Sequence, residues 1–362
     1  MSPEHPPWWD PHSDQPYKLS KSKKPRLQAD NLIEYAKTAA AALTMSPIVG
    51  WHYASLKRPT PPDLLDFVGL GISPDHGDPV QIEDLVSELG VKKLLLRIPS
   101  WHVNHIEHYL DFADRFKNHD LLINILQSKQ SVQDIEIWDK NVSDIVKAFQ
   151  GKTNEFQLGN AINRSKWGCQ HTGDYLKLLA GIPSLRDLYP DITIGGSSVI
   201  DFEPLATLRT LFNFHRYDID ACSCALYVNR RGSPYSKQYG VFGLAEKLRL
   251  IFAMAKASNR SASRLWVTET NWPLLNTKPY TPNSGLPRST VDEQTQARYL
   301  TEYYRIAYSL GFVERVYWWQ LVNPGYGLVD HRNRQFRKMP SFYAFKRLLE
   351  GEINETPKPP ST

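Results

Sequence analysis

From Asp66 onward the chain alternates short apolar runs with longer stretches in which apolar residues recur at helical spacing. Two runs, Lys93–Arg97 and Leu121–Ile125, are almost continuously apolar, as expected for parallel strands that are covered on both faces. The predicted strands are Phe67–Ile72, Lys92–Ile98, Leu121–Leu126, Glu155–Asn160, Ile192–Ser197, Ile219–Leu226, Arg264–Glu269 and Val313–Gln320. The predicted helices include Pro79–Leu89, Asn104–Lys117, Thr172–Leu188, Val241–Ala257, Asp292–Ser309 and Met339–Glu350.

The predicted strands begin about 25–50 residues apart, which is the size of a βαβ unit. This rhythm predicts the α/β class and a single (β/α)8 TIM barrel with an irregular N-terminal extension. The alternative is a doubly wound open sheet, but Gly69 and Gly71 lack the third glycine of a dinucleotide-binding turn. We expect the barrel to span residues 66–351, followed by a flexible C-terminal tail over residues 352–362.

The first 65 residues do not follow this rhythm. Residues 1–30 are rich in proline and lack apolar periodicity, and five basic residues cluster at positions 18–26. We expect a disordered basic tail over residues 1–30, then a helix and linker over residues 31–65. A second hypothesis is that Lys18–Arg26 makes peripheral contact with an anionic membrane or a glycolipid.

No segment has the order of a secretory signal, because polar residues follow the basic cluster. The uncharged stretch Thr38–Leu56 contains Pro47 and Gly50 and is a poor membrane span. We therefore expect a cytoplasmic protein, with peripheral membrane association as the only membrane contact.

Composition narrows the class of partner. The 362 residues carry a formal charge of +5, too small a surplus to indicate a nucleic-acid-binding protein. Cys169, Cys222 and Cys224 form no CxxC pair, so neither a disulfide scaffold nor a cysteine zinc site is indicated. We expect no cofactor, no metal and a monomer whose partner is a carbohydrate.

In TIM barrels the active site lies at the C-terminal ends of the strands. The polar and aromatic residues at or just beyond those ends are Arg97, Gln127, Asn160, Tyr227, Glu269, Trp272, Trp318 and Trp319. Glu269 is the leading candidate, because a carboxylate at a strand end can attack an anomeric carbon or stabilise an oxocarbenium-like transition state. The plainer alternative is a carboxylate that only forms a salt bridge with Arg97.

The neighbours of Glu269 also have two interpretations. Tyr227 either hydrogen-bonds the carboxylate or packs at the rim of the barrel. Trp272, Trp318 and Trp319 offer flat faces for sugar rings, although a barrel tryptophan can equally fill the core.

Three segments resemble the clan of (β/α)8-barrel glycoside hydrolases whose catalytic carboxylates lie at the ends of strands four and seven. The first, Leu265–Trp272, is similar to the clan's strand-seven segment, and the second, Phe156–Trp167, is similar to its strand-four segment. The third is similar to the last strand and closing helix, and consists of Val316–Trp319 followed by Tyr326–Asp330 and Arg337–Tyr343. The resemblance covers Asp66–Glu350. It implies a retaining glycosidase with Glu269 as nucleophile, Asn160 as ligand of the sugar 2-hydroxyl, Arg97 and Tyr227 as orienting groups, and Gln127 among the substrate-binding residues.

The chain departs from this clan at the acid/base position, where Ala161 replaces the usual Glu, and at Ala225, where many members have His. Four explanations are open. They are an engineered Glu-to-Ala replacement, another acid such as Asp201 or Glu203, a leaving group that needs no protonation, and glycan binding without cleavage.

The resemblance predicts a glycoside hydrolase acting on a polysaccharide or glycoconjugate, for which a bacterial envelope glycan is one hypothesis. The basic runs Asn229–Arg231 and His331–Arg334 would suit an acidic or lipid-linked glycan. The alternatives are a catalytically impaired glycan-binding protein and a transglycosylase, in which an acceptor sugar replaces water.

Overall fold

The computed structural model describes residues 4–19, 29–281, 289–332 and 335–354. In these ranges eight parallel strands close a barrel, each beside its neighbour in the chain. The barrel strands are β1 Val68–Ile72, β2 Lys93–Pro99, β3 Asp120–Leu126, β4 Glu155–Leu158, β5 Thr193–Ile200, β6 Ala221–Ala225, β7 Leu265–Thr270 and β8 Arg315–Trp318. Strand β8 pairs with β1, so the barrel is closed. The predicted TIM barrel is confirmed, and every predicted strand overlaps an observed one.

Helices surround the barrel. They are α1 Ala29–Ser55, α2 Leu64–Phe67, α3 Pro79–Leu89, α4 Ile106–Ala113, α5 Lys129–Gln133, α6 Ile135–Ala148, α7 Thr172–Leu178, α8 Ile182–Leu188, α9 Pro204–Leu211, α10 Leu244–Ala257, α11 Glu293–Tyr308 and α12 Pro340–Leu349. The predicted helix Thr172–Leu188 is therefore two helices, with α7 and α8 separated by residues 179–181. Helix α9 has only eight residues, too few for a clear apolar period in the sequence.

Side chains alternate between two apolar layers along β8 and at Trp319, the residue that follows it. Val316 and Trp318 face outward and belong to the large core between the strands and the helices. Tyr317 and Trp319 face inward and pack with Trp266 inside the barrel. Because successive side chains of a strand point to opposite faces, this division follows from the period of two.

The interior of the barrel also holds an ion pair between a buried arginine and a partly buried glutamate. Arg315 of β8 donates to both carboxylate oxygens of Glu155 on β4, at 2.5 and 2.8 Å, and its guanidinium lies 4.3 Å from the centre of the Trp266 ring. A charge taken out of water is stable only when it is paired. The pair therefore satisfies the one cation that β8 places inside the barrel.

The N-terminal segment differs from the predicted disordered tail in its described part. Residues 4–19 form a hairpin with the two-residue strands Trp9–Asp10 and Gln15–Pro16, hereafter the N-terminal hairpin. Trp9 is only 2% exposed. Trp9 packs against Leu126, Ala161 and Trp167, at or beyond the ends of β3 and β4. These contacts hold the hairpin on the barrel, and the proline-rich sequence by itself does not predict them.

The predicted membrane-contact segment Lys18–Arg26 lies mostly outside the described residues, and only Lys18 and residue 19 of it are described. Within the described ranges, no helix combines the length and apolar character that crossing a membrane requires. The same ranges contain no group of three His, Cys, Asp or Glu side chains that could hold a metal ion.

Glycine in β1 makes room for the aromatic residues inside the barrel. A Cβ atom on Gly71 would overlap the ring of Trp319. We expect Gly71→Ala to lower the free energy of unfolding by about 1–3 kcal/mol, the usual cost of overpacking. Urea denaturation monitored by tryptophan fluorescence measures it.

The control is Gly50→Ala, at an exposed position of α1 with no atom within 4 Å of the added Cβ. That substitution should instead stabilise the protein by about 0.5–1 kcal/mol through helix propensity. Unchanged stability of Gly71→Ala would contradict the packing described for Trp319.

Candidate active site

Glu269 faces the interior because β7 carries one extra residue near its end. Val267 pairs with Cys224 of β6, and the next pair is Ala225 with Glu269, so Thr268 is skipped. The other side of β7 shows the same shift against β8. Since a β-bulge of this kind re-aims the following side chain, Glu269 points into the barrel although strict alternation from Trp266 would turn it outward.

The carboxylate of Glu269 accepts hydrogen bonds from Arg97 of β2 and from Tyr227, which lies two residues beyond the end of β6. The Nη2 atom of Arg97 donates to Oε2, and the hydroxyl of Tyr227 donates to Oε1. The guanidinium of Arg97 also stacks on Trp319, 3.5 Å from the ring centre. The structure therefore brings together four of the residues that the sequence singled out.

Asn160 is held at the same mouth by Gln127. The Gln127 side chain donates to the carbonyl oxygen of Asn160 and accepts from its backbone N–H, both at 2.8 Å. Among the described residues no group accepts a hydrogen bond from the buried Asn160 Nδ2. Asn160 is among the residues that line the cavity and Gln127 is not, so the structure places Gln127 behind Asn160, whose backbone it holds.

Trp272 and Trp318 do not lie where a sugar platform would. They stack on each other with ring centres 6.1 Å apart, and the Trp272 indole donates to Gly232 O at 2.9 Å. Both side chains belong to the core between strands and helices. Of the three tryptophans expected to be platforms, Trp272 and Trp318 are buried in the core, and Trp319 is the one that lines the cavity in the described structure.

The two alternative acids share one basic partner. Arg164 donates to Asp201 at 2.6 Å and to Glu203 at 2.5 Å. Asp201 lines the cavity around Glu269, whereas Glu203 lines only the neighbouring depression. Both carboxylates are therefore engaged in an ion pair.

The cavity around Glu269, hereafter the site cavity, has a volume of about 250 Å³. It adjoins a depression of about 710 Å³ that shares Arg164, Asp201, Tyr227 and Arg231 with it. The charged residues described in its lining are the cations Lys18, Arg97, Arg164, Lys166 and Arg231 and the acids Asp14, Asp201 and Glu269. The cations outnumber the acids, so the described lining favours a negatively charged ligand.

Several cavity residues escaped the strand-end reasoning, among them Asp14, Lys166 and Tyr326. Lys166 donates to the side chain of Gln15 and to Pro16 O, and burial lowers its pKa to about 8. Asp14 belongs to the N-terminal hairpin, which no strand-end rule could have placed here. These residues come from the N-terminal hairpin and from the loops after β4 and β8. Only the three-dimensional structure shows that they lie in the same cavity as Glu269.

Arg231 supports the opposite wall of the cavity. It donates to Asn271 O and Oδ1 at 2.9 and 3.0 Å, and its guanidinium lies 3.1 Å from the centre of the Tyr227 ring. Burial lowers the pKa of Arg231 to about 10, so it remains a cation at neutral pH. Of the two basic runs found in the sequence, the first thus reaches the cavity.

Ala161 is buried below the N-terminal hairpin and does not line the site cavity. It lies in one apolar cluster with Trp9, Leu126 and Trp167. The Trp9 and Trp167 ring centres are 5.7 Å apart, in edge-to-face contact. A carboxylate at position 161 would enter this apolar cluster, where an unpaired charge is costly.

We expect Ala161→Glu to lower the free energy of unfolding by about 1–3 kcal/mol, because the larger side chain overfills the cluster. Thermal or urea denaturation measures the loss. In a Trp9→Ala background the same substitution should cost less, with a coupling energy of about 0.5–3 kcal/mol. Strictly additive effects of the two changes would show that Trp9 does not occupy the space above Ala161.

No protein-family model matches the chain, and no curated protein is similar to it in sequence. Many solved structures share its fold. A GH30 endoxylanase from Clostridium papyrosolvens C71 has a TM-score of 0.56 at 11% identity, over 81% of this chain and 74% of the enzyme. The virulence factor SghA from Agrobacterium tumefaciens has a TM-score of 0.54 at 10% identity, over 84% and 99%.

A third neighbour is the E246C mutant of xylanase A from P. fluorescens subsp. cellulosa in complex with xylopentaose. Its TM-score is 0.51 at 11% identity, over 80% of this chain and 99% of the xylanase. At such low identity the likeness concerns the fold. The chain has a closed parallel barrel, and its fold is similar to that of these three proteins.

Proposed function

We propose that this protein is a retaining glycoside hydrolase in which Glu269 is the nucleophile. The observation that supports it most is the carboxylate of Glu269 in the site cavity, hydrogen-bonded by Arg97 on one oxygen and by Tyr227 on the other. Such contacts fix the orientation of the carboxylate, and orientation is a large part of what a positioned nucleophile contributes. The shared fold with xylanases is consistent with this reaction class.

In the proposed reaction, an oxygen of Glu269 attacks the anomeric carbon of a sugar bound in the cavity. The transition state carries positive charge on the sugar ring, which the nearby carboxylate stabilises. The free Nδ2 of Asn160 would donate to a hydroxyl of that sugar, and Trp319 would present an aromatic surface beside it. Water then releases the sugar from Glu269.

For the substrate we propose an acidic polysaccharide or glycoconjugate. The excess of cations in the described lining favours bound carboxylate, sulfate or phosphate groups. The neighbouring depression gives room for further sugar units beyond the one at Glu269. An envelope glycan attached to lipid would fit the proposed peripheral contact of Lys18–Arg26 with an anionic surface.

The variant Glu269→Gln should retain the fold and lose activity, because an amide cannot form the glycosyl ester. We expect kcat/KM on 2,4-dinitrophenyl glycosides of glucose, xylose and glucuronic acid to fall roughly 10⁴–10⁶-fold, the scale seen when a nucleophile is removed. An exposed glutamate of α4 provides the control, Glu107→Gln, with unchanged turnover. Equal turnover by Glu269→Gln and wild type would refute the nucleophile assignment.

A second candidate function is glycan binding without cleavage. The observations that favour it are Ala161 at the acid/base position and the N-terminal hairpin over the barrel mouth. Calorimetric binding of an acidic oligosaccharide, with no product after long incubation, would support this function. Larger oligosaccharide products would instead indicate a transglycosylase.

A further inference from the structure

We propose that Asp14, carried by the N-terminal hairpin, is the general acid and base that the end of β4 lacks. This inference rests on the proposed function, since it needs Glu269 as the nucleophile. It adds a catalytic residue from a segment outside the barrel, which the strand-end pattern does not include.

The first support is the position of Asp14 relative to Glu269. Both side chains line the site cavity, and both face the guanidinium of Arg97. One terminal nitrogen, Nη1, lies 3.8 Å from Oδ2 of Asp14, and the other, Nη2, donates to Glu269. The two carboxylates therefore lie at the two terminal nitrogens of one guanidinium group. A nucleophile and an acid that act on the same bond must be neighbours of this kind.

The second support is that the backbone around Asp14 is tied to the barrel on both sides. Before it, the Tyr326 hydroxyl donates to Ser13 O at 2.7 Å, and Asn323 Nδ2 donates to His12 O at 3.1 Å. After it, Lys166 donates to Pro16 O at 3.3 Å. Asp14 is thus fixed between the loops that follow β8 and β4, and a fixed position is what proton transfer needs.

The electrostatics of the cavity are suitable for an acid. Burial raises the pKa of Asp14 to about 6, although Arg97 opposes the shift. The other charged or titratable groups that act on Asp14 are Asp75 and Glu269, which raise its pKa, and His5, which lowers it. A carboxyl group with a pKa near the working pH can both give and take a proton.

The third support is that the N-terminal hairpin both packs against Ala161 and carries Asp14. The hairpin that brings Asp14 into the cavity also places Trp9 in the apolar cluster that contains Ala161. Trp9 of the hairpin therefore fills the space beside position 161, and Asp14 in the turn of the same hairpin places a carboxylate in the site cavity. The alternative acids Asp201 and Glu203 remain in their ion pair with Arg164.

The chemistry balances with water as the only co-reactant. In the first step a Glu269 oxygen bonds to the anomeric carbon, and the bond to the leaving oxygen breaks with its electron pair on that oxygen. The carboxyl proton of Asp14 moves to the leaving oxygen, so an alcohol departs and Asp14 becomes a carboxylate. In the second step Asp14 takes a proton from water, the water oxygen bonds to the anomeric carbon, and Glu269 leaves as a carboxylate.

The test is Asp14→Asn. Asp14 has a φ of 50°, a left-handed conformation that asparagine adopts as readily as aspartate, so the hairpin should keep its backbone. We expect kcat/KM on methyl glycosides of glucose, xylose or glucuronic acid to fall about 10²–10⁴-fold. The 2,4-dinitrophenyl glycosides need no protonation, so their first step should change far less.

A pH profile separates proton transfer from a structural effect. The wild-type kcat/KM should decrease as the pH rises through about 6, because Asp14 must be protonated to act as the acid. That decrease should disappear in Asp14→Asn. The matched control is Asp10→Asn, which replaces by an NH2 group one of the two carboxylate oxygens that accept from His12 N and Ser13 Oγ within the same hairpin. Asp10→Asn should keep the pH dependence even where it lowers the thermal stability.

Azide provides the complementary experiment, because in the second step it can attack the anomeric carbon in place of water without help from a base, and Glu269 leaves as the carboxylate. In Asp14→Gly, azide should restore turnover of the dinitrophenyl substrates and give a glycosyl azide of retained configuration. Asp14→Asn with wild-type kinetics on both substrate types would overturn the role of Asp14. The role of Asp14 would also be overturned if Asp201→Asn, and not Asp14→Asn, lost activity on methyl glycosides and lost the pH dependence.

Failure of this inference can be distinguished from failure of the proposed function. A 2-deoxy-2-fluoro dinitrophenyl glycoside should label Glu269 in the wild type, as mass spectrometry of the peptide would show. Labelling of Glu269 together with an unaffected Asp14→Asn would refute only Asp14. No labelling and no turnover with any of the three sugars would refute both proposals.

Discussion

The guanidinium of Arg97 joins the parts of the molecule that meet at the barrel mouth. It extends from β2, donates to Glu269 beyond the bulge of β7, stacks on Trp319 and faces Asp14 of the N-terminal hairpin. A buried guanidinium needs such partners, because a charge without them would be strongly destabilising. The geometry of Glu269 thus depends on β2, β6 and β7 holding their positions together.

The N-terminal hairpin gives this mouth its particular character. Its Trp9 belongs to the apolar cluster around Ala161, and its Asp14 enters the site cavity. In the glycoside hydrolase clan that the sequence resembles, a glutamate follows the strand-four asparagine. In this chain that position is Ala161, and Trp9 and Trp167 fill the space around it. Alanine at position 161 and the hairpin above it are therefore compatible parts of one packing arrangement. The proposed role of Asp14 makes the same arrangement catalytic.

Much of the candidate site was predictable from strand ends, because the carboxyl ends of parallel strands meet at one face. Arg97, Tyr227, Asn160 and Glu269 come together for that reason. The assignment of the tryptophans needed one more step. Trp318 is the last residue of β8 and Trp319 follows it directly, so the side-chain alternation of the strand places Trp318 in the helix layer and Trp319 in the barrel interior.

The sequence alone determined the eight-strand rhythm, and hence the barrel and the face on which its chemistry lies. Only the tertiary structure decided which way Glu269 points, because the extra residue in β7 reverses the alternation that starts at Trp266. It also decided that residues 4–19 pack at the mouth. Local periodicity could not show this, since Trp9 and Asp14 are stabilised by contacts with loops far away in the chain.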